Sequence, residues 1–513
     1  MLQRRQLWAA LAQGALVAAL PGSAALAASA GGTPSDAPLN SAAFGRNPWL
    51  QPLRGWNDGV DRLAEGLRVR GRLPRELRGT LFRNGPGLLE RGAQRYAHWF
   101  DGDGLVQAWR FEGEGRVSHR ARFVQTRKFE LEQAAGEFRV PAFGTRIEAR
   151  APLRGPDDMN TANTSVTVQA GRLYALWEGG SATELDPATL RTLGPRAWAP
   201  ELAGVPFSAH PKREPDGTLW NFGTFAGKLV LYQIGADGRL QRSQLLPLPG
   251  APMLHDFVLT ERFIVLLLPP LSLDMAALRS GRSSFAGAMR FDAQQATRAL
   301  VIDKATLQPR RTLELPAQLM FHFGNGWDRG DQIELDFVST DPDEFLSGVF
   351  NSMLGGERDA SRSIPRLQFL RLDLASGRVT QHERPEGVEF PQVDPRVVGR
   401  RHRYLYCPAL RGDALNDARW GFQALQRLDL RRDRVEAFDF GASVVVEEHL
   451  LVPRPGSSRE GQGWLIGTGF DVRRQRSFAA VFDAEAISAG PLATVELPFW
   501  VPYGFHGHFA PAA

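Results

Sequence analysis

The 513-residue chain has a single cysteine, Cys407, so it forms no internal disulfide and no thiolate metal site. Any metal that it binds therefore needs histidine, aspartate or glutamate ligands. Lysine is almost as scarce, since only Lys128, Lys212, Lys228 and Lys304 occur among 61 basic residues. Because the arginines are scattered rather than grouped, the net charge of +5 indicates no nucleic-acid-binding face.

Long apolar runs are also missing, except near the N-terminus. Arg4 and Arg5 precede an apolar run over residues 7–20, and small residues follow up to Ala30. The run is shorter than the ~20 residues that span a bilayer, so the pattern predicts a cleaved signal peptide over residues 1–30 and an exported, periplasmic protein. The paired arginines leave the twin-arginine and general secretory routes both open. We place a linker at residues 31–52 and one domain at residues 53–513.

The domain has little helical periodicity. Short β-branched or aromatic runs alternate with Gly, Asp and Pro, and helices are expected only near residues 130–135, 278–280 and 344–354. The most apolar stretch, residues 263–273, contains two prolines and is interpreted as a buried strand with its exit loop. The chain is therefore predicted to be all-β.

A weak repeat refines this prediction. An apolar residue, an acidic or small turn and a return strand recur at residues 111–117, 185–190, 234–240, 302–307, 372–379, 428–435 and 482–487. Seven similar hairpins favour a seven-bladed β-propeller, with loops and short helices capping one face, over a sandwich or two β-domains.

The histidines divide according to their neighbours. Three lie among Arg and Glu and are expected at the surface: His119, His382 and His402. Four lie in apolar surroundings and in different repeats: His210, His255, His322 and His506. A histidine of this kind is more often a hydrogen-bonded core residue than a ligand. In a propeller, however, the innermost strands surround one axis and can bring four imidazoles to a single metal.

The ligand type alone does not select the metal, because imidazole binds Zn, Cu, Fe and Ni. Four neutral ligands leave the charge of the ion uncompensated, and carboxylates hydrogen-bonded to the far ring nitrogens can supply negative charge. Candidates are Glu178, Glu389 and Glu448, each of which also fits a surface position at a strand end.

Eight stretches resemble one known family, the carotenoid cleavage oxygenases, from about residue 47 to residue 511. They are residues 82–86 (FRNGP), 96–106 (YAHWFDGDGLV), 160–164 (NTANT), 209–212 (AHPK), 254–256 (LHD), 321–325 (FHFGN), 389–391 (EFP) and 504–507 (GFHG). The resemblance implies a seven-bladed propeller that holds one Fe(II) on its axis.

The resemblance also assigns roles to individual residues. The implied iron ligands are His210, His255, His322 and His506. The implied carboxylates behind them are Glu178, Glu389 and Glu448. Thr164 matches the residue that limits access to a vacant coordination position. Two near alternatives stay open, Glu447 for Glu448 and His508 for His506.

The implied activity is cleavage of a conjugated carbon–carbon double bond by O2, which yields two aldehyde or ketone products. We expect a carotenoid or apocarotenoid substrate. The alternatives are a lignostilbene-type dioxygenase, a non-cleaving isomerase and a ligand-binding propeller. Stilbene-cleaving relatives bind a phenol with a tyrosine and a lysine, and Tyr96 and Lys128 fit such a pair without deciding the matter. The polyene is favoured because residues 263–273 and 345–354 are expected to form an apolar entrance in peripheral contact with a membrane.

Overall fold

The computed structural model describes residues 47–248, 250, 253–342, 364–410 and 421–512, and each structural statement below refers to these residues. Their regular structure is almost entirely β-strand, as predicted. Two α-helices lie among them, α1 (Arg127–Ala135) and α2 (Met275–Arg279), near two of the predicted positions. The third predicted helix, residues 344–354, lies outside the described residues. Single 3-10 turns span Pro48–Arg54, Trp99–Asp101, Pro156–Met159, Pro200–Leu202, Ala286–Ala288, Pro395–Val397 and Ile487–Ala489.

The described strands are numbered along the chain. The first seven are β1 (Arg62–Ala64), β2 (Arg68–Gly71), β3 (Gly79–Leu88), β4 (Glu90–Arg91), β5 (Gln94–Arg95), β6 (Asp103–Gly113) and β7 (Arg116–Phe123). The next eight are β8 (Ser165–Gln169), β9 (Arg172–Leu176), β10 (Thr183–Leu185), β11 (Thr192–Pro195), β12 (Lys212–Arg213), β13 (Leu219–Phe225), β14 (Lys228–Ile234) and β15 (Leu240–Pro247).

The second half of the chain continues the pattern. Ten strands are β16 (Val258–Leu259), β17 (Phe263–Leu268), β18 (Leu271–Leu273), β19 (Met289–Phe291), β20 (Thr297–Asp303), β21 (Gln308–Leu315), β22 (Leu319–Arg329), β23 (Gln332–Thr340), β24 (Arg366–Asp373) and β25 (Val379–Gly387). The last eight are β26 (Tyr404–Ala409), β27 (Ala424–Asp429), β28 (Arg434–Asp439), β29 (Val444–Pro453), β30 (Gly463–Asp471), β31 (Arg476–Asp483), β32 (Ala493–Glu496) and β33 (Gly507–Pro511).

These strands form seven antiparallel blades, which confirms the predicted propeller. From the axis outward the blades are β33-β3-β6-β7-β1, β8-β9-β10-β11, β12-β13-β14-β15, β16-β17-β20-β21, β22-β23-β24-β25, β26-β27-β28 and β29-β30-β31-β32-β2. In the sixth blade, bridges Val388–Ala409 and Gln392–Tyr406 lay residues 388–392 along β26 as the innermost segment. Strands β4-β5 and β18-β19 form separate hairpins.

The two ends of the chain close the ring. Strand β33 pairs with β3 to become the innermost strand of the first blade, and β2 pairs with β32 on the outside of the seventh. Blades one and seven therefore each combine strands from both ends of the propeller domain. This pairing reduces the number of unpaired strand edges. It also fixes the register of β33, the last innermost strand, against β3.

All seven predicted hairpins join the third and fourth strands of a blade, counted from the axis. The aspartate of the repeat has a structural role in these turns. In the fourth blade Asp303 Oδ1 accepts hydrogen bonds from Thr306 N at 2.8 Å and Thr306 Oγ1 at 3.0 Å. Leu307 follows with a φ of +57°. The carboxylate thus stabilises a turn that includes a left-handed residue.

Two histidines predicted to lie at the surface are buried instead. His119 is fully buried on β7 beside Trp109, because alternate β7 side chains point inward and the flanking arginines occupy the other face. His402 is 8% exposed and lies 3.1 Å from the Asp336 carboxylate, so its polar ring is partnered in the interior. His382 is exposed, as expected.

The structure also bears on the predicted linker and on the most apolar stretch. The 3-10 turn Pro48–Arg54 buries Leu50 and Leu53, so the predicted linker over residues 31–52 includes packed residues at its end. All six residues of β17 are buried between β16 and β20, which confirms the buried strand predicted within residues 263–273 and leaves residues 263–268 out of an apolar entrance. Residues 345–354, the other half of that predicted entrance, lie outside the described residues. Among the described helices, none has the length and apolarity to cross a bilayer.

Candidate metal centre

The four candidate histidines lie at the starts of innermost strands. His210 precedes β12 by two residues, His255 precedes β16 by three, His322 is the fourth residue of β22, and His506 directly precedes β33. Since innermost strands surround one axis, equivalent starts converge. The structure brings one ligand atom of each histidine within 4.8 Å of the others.

The nitrogens are spaced as a metal requires. His255 Nε2 lies 3.0 Å from His210 Nε2 and 3.1 Å from His322 Nε2. Two nitrogens 3.0 Å apart subtend roughly 90° at an ion that lies about 2.1 Å from each, a normal metal–imidazole distance. Lone pairs that face each other at this distance repel unless a cation lies between them. The donor set therefore fits a divalent transition metal with room for further ligands.

Carboxylates behind three of the rings fix which nitrogen carries the proton. The pairs are His255 Nδ1 with Glu178 Oε1, His322 Nδ1 with Glu389 Oε2 at 2.7 Å, and His506 Nδ1 with Glu448 Oε1 at 2.9 Å. An ionised carboxylate accepts only, so each Nδ1–H donates and each Nε2 keeps its lone pair for the centre. The fourth ring, His210, has no such carboxylate among the described residues.

Burial is the largest single influence on the pKa of three of the rings. Burial, followed by the other three histidines, lowers the pKa of His210 well below its usual value. Burial lowers the pKa of His506 to about 4, although Glu448 acts in the opposite direction. Burial also lowers the pKa of His322, but Glu389, together with Asp256 and Glu448, more than offsets this effect and the pKa is raised. Neutral imidazole is the form that binds a metal.

The structure places the members of both alternative pairs, Glu448 with Glu447 and His506 with His508, in different surroundings. Besides His506, Glu448 accepts hydrogen bonds from Arg83 Nη1 at 2.8 Å, Gln392 Nε2 at 3.0 Å and Gly507 N at 2.7 Å. The neighbouring carboxylate points elsewhere, since Glu447 accepts from Thr468 Oγ1 at 2.6 Å and from Gly504 N at 2.5 Å. His508 pairs with Phe82 across β33 and β3 and is not part of the histidine cluster.

Thr164 is buried directly before β8, where the second blade starts its innermost strand. Its Oγ1 lies 3.1 Å from Asn163 Oδ1 and donates a hydrogen bond to it. Thr164 thus lies at the start of the innermost strand of its blade, as each of the four histidines does in its own blade. This location agrees with the role implied for it at an open coordination position, which stays a prediction.

The sequence did not single out two aromatic rings beside the histidines. The Phe321 ring meets His255 edge-on at 5.0 Å, and the Phe390 ring lies 5.1 Å from His322 and 5.4 Å from His506. Phe390 has a φ of +52°, a conformation that costs about 1–3 kcal/mol in a bulky residue and is concentrated at functional sites. Both phenylalanines directly adjoin a predicted site residue in the chain, which is the signal that could have identified them.

Known proteins share this architecture. The family model described as retinal pigment epithelial membrane protein matches residues 60–511. The apocarotenoid-15,15'-oxygenase of Synechocystis sp. is 31% identical over 490 residues, which cover 91% of this chain and 97% of that relative. The lignostilbene-alpha,beta-dioxygenase isozyme III of Sphingomonas paucimobilis is 28% identical over 90% of this chain and 96% of that relative. The crystal structure of cobalt-substituted Synechocystis ACO matches with a TM-score of 0.82 and 28% identity, covering 91% of this chain and 98% of that one.

The fold and these relatives together define the class of protein as a β-propeller oxygenase that incorporates oxygen into its substrate. The chain belongs to the carotenoid cleavage oxygenase family, whose model extends over nearly all of the propeller. The resemblance noted in the sequence is thereby confirmed.

The neighbouring glutamates of β29 provide a direct test of the carboxylate role. We expect Glu448→Gln to weaken metal retention about 10- to 100-fold, the usual effect of losing a partner behind a ligand. The glutamine side chain could accept from His506 Nδ1 only if its own NH2 group pointed toward Arg83 and Gly507. These two residues are themselves donors, so that arrangement is unfavourable. The measurement is metal content after dialysis against a chelator. Glu447→Gln is the matched control, and equal metal loss in both variants would contradict the assignment.

Proposed function

We propose that the chain is a non-haem Fe(II) dioxygenase with His210, His255, His322 and His506 as ligands. The observation that carries this proposal is the convergence of the four rings, three of them backed by carboxylates, on one point of the propeller axis. Fe(II) held by four neutral imidazoles keeps coordination positions free and supplies the activation of O2 when bound.

The chain's own residues prepare the site for that chemistry. Glu178, Glu389 and Glu448 hold the Nδ1 protons and place negative charge behind the imidazoles. The rings of Phe321 and Phe390 cover the ligands and exclude water from the centre. We assign Thr164 the task of restricting access to an open position, as its place at the start of β8 supports.

Apolar side chains extend from the histidines toward the surface. Phe321, in contact with His255, belongs to a buried cluster with Leu271, Met289 and Leu319. Five partly buried residues pack against this cluster: Phe100, Phe143, Met253, Leu273 and Phe291. A buried apolar cluster next to the histidines suits contact with a long hydrocarbon chain. We therefore propose a carotenoid or apocarotenoid substrate, whose double bond is cleaved to two carbonyl products, and the similarity to an apocarotenoid oxygenase supports this choice.

The Tyr96–Lys128 pair forms, but its lysine has no N–H donor left for a phenol. Lys128 Nζ donates to Tyr96 Oη at 2.6 Å, to Asp103 Oδ1 at 3.0 Å and to Glu132 Oε2 at 2.8 Å. An ammonium group has three N–H donors, and all three are used. The Lys128 side chain is fully buried, and burial with Glu132 and Asp103 raises the pKa of Tyr96 well above its usual value. This network supports the polyene over the hydroxystilbene.

The substrate class is tested by incubating Fe(II)-loaded protein with a panel of apocarotenoids and 4-hydroxystilbenes under ¹⁸O2. We expect labelled aldehydes from a polyene, identified by mass, together with O2 consumption. Lys128→Met should leave the ratio of polyene to stilbene turnover unchanged, because the lysine does not contact substrate. Stilbene cleavage without polyene turnover, abolished by Lys128→Met, would reverse the assignment. Rearranged polyene formed without O2 uptake would indicate an isomerase.

We propose a peripheral membrane contact at the insertion between β18 and β19. Two large apolar side chains there are exposed, Met275 at 36% and Phe285 at 39%. Three exposed arginines lie in the same stretch of the chain: Arg279, Arg282 and Arg290. Phe285 packs on Phe143 at 5.7 Å, which links the patch to the apolar residues near the site. Apolar and cationic groups together suit an anionic lipid surface.

Vesicle sedimentation tests this contact. The double variant Met275→Asp/Phe285→Asp should bind anionic vesicles more weakly than the wild type, because each change removes apolar area and adds a repelled charge. Leu193→Asp, at another exposed apolar position, is the control. Unchanged binding of the double variant would show that this face does not contact the membrane.

We also propose that the protein is exported after removal of residues 1–30, which lie outside the described residues. N-terminal sequencing of protein from fractionated cells should find a start between residues 27 and 32 in the periplasm. A full-length cytoplasmic protein would contradict this proposal.

A further inference from the structure

One buried carboxylate joins three of the four segments that carry the histidines. Asp256 directly follows His255 and is 4% exposed. It does not contact the face of the histidines that points to the centre, and it is not one of the three carboxylates behind the rings. Its hydrogen bonds connect it to Phe323, which follows His322, and to Lys212, which lies two residues after His210.

The contacts of Asp256 extend over three blades. Its Oδ2 accepts a hydrogen bond from the backbone N of Phe323, the residue after His322, at 3.0 Å. Its Oδ1 accepts from Phe257 N at 2.7 Å. Lys212 Nζ, two residues after His210, lies 2.7 Å from Oδ1 and 3.0 Å from Oδ2. One side chain therefore connects the starts of β12, β16 and β22.

Short nitrogen–nitrogen distances link the same three histidines. His255 Nε2 lies 3.0 Å from His210 Nε2 and 3.1 Å from His322 Nε2. The fourth ligand segment is connected differently, because Glu448 accepts from the backbone of Gly507, next to His506. Apolar contacts between blades do not define the position of one strand start against the next as sharply as charge-assisted hydrogen bonds do.

We propose that Asp256 is a positioning residue that sets the spacing of His210, His255 and His322 for the metal. The inference rests on the proposed function, since it presumes that these histidines bind iron. Without the carboxylate, the Phe323 amide and the Lys212 ammonium lose their common partner. The three imidazoles then keep their identity but lose their fixed spacing, so the metal is bound less tightly and in a less uniform geometry.

The experiment compares holoenzymes. Iron transfer from wild-type and Asp256→Asn protein to an Fe(II)-specific chelator is followed by absorbance, and the visible spectrum of the Co(II)-substituted forms reports ligand geometry. We expect Asp256→Asn to release iron about 10- to 100-fold faster, with shifted Co(II) bands. Circular dichroism should be unchanged, because the blades themselves keep their hydrogen bonds.

Asp336→Asn is the matched control in the fifth blade. Asp336 is 1% exposed, accepts from Asn325 N at 3.2 Å and lies 3.1 Å from His402 Nε2. It thus has similar burial and a similar pair of contacts, but it joins no two ligand segments. Wild-type iron release is expected. Equal acceleration in both variants would overturn the inference, because it would show a general effect of buried aspartates.

A second pair keeps the inference testable if Asp256→Asn does not fold. Lys212 is partly exposed, so Lys212→Met and Lys212→Arg change the cation at the edge of the network. We expect faster iron release from Lys212→Met and near wild-type release from Lys212→Arg. Wild-type release and spectra in both Asp256→Asn and Lys212→Met would overturn the inference. Wild-type protein without stoichiometric iron would instead refute the proposed function, which separates the two failures.

Discussion

The propeller brings the imidazole lone pairs of the centre close together, where they repel one another. The surrounding structure must withstand this repulsion. The Nε2 atoms of His255 and His322, 3.1 Å apart, cannot donate hydrogen bonds to one another while their Nδ1 protons are held by Glu178 and Glu389. Such an arrangement is unfavourable unless a cation occupies the centre, so the blades must hold it in place. Seven sheets with buried apolar faces, closed by β33 and β2, provide that rigidity. The fold and the metal centre are in this sense one construction.

The negative charge of the centre lies one layer behind the ligands, and the three carboxylates are not equivalent. Glu448 is 2% exposed and has four donors, including the Arg83 guanidinium, so burial is outweighed by His506 and Arg83 and its pKa is lowered. Glu178 is 26% exposed and bonds only His255 among the contacts described. The part of the centre near Glu448 is therefore held by several hydrogen bonds, whereas the part near Glu178 is more exposed to solvent.

The sequence predicted the parts of this protein that local patterns encode. Seven aspartate- or glycine-bearing turns predicted seven blades, because each turn is stabilised by contacts within a few residues, as in Asp303 with Thr306. The contacts of Arg83, Asp256 and Gln392 were not predicted, because their partners lie in other blades. His119 was predicted to lie at the surface because arginines are near it in the sequence. The prediction was wrong because successive residues of a strand point to opposite faces, so the arginines lie on the outer face and His119 lies on the buried face.

The proposed substrate class rests on different residues from those of the proposed metal centre. The four histidines and their carboxylates do not distinguish a polyene from a stilbene, whereas the network of Lys128 bears on whether a phenol can bind beside it. A phenol that enters this network must displace Tyr96, Asp103 or Glu132 from Lys128. Leaving one of these buried groups without its partner costs about 1–3 kcal/mol, and more for a carboxylate. The hydrocarbon chain of a polyene has no polar group to place there and leaves the network intact. The donor count at Lys128, rather than the geometry of the histidines, is thus the feature of this chain that supports the proposed polyene substrate.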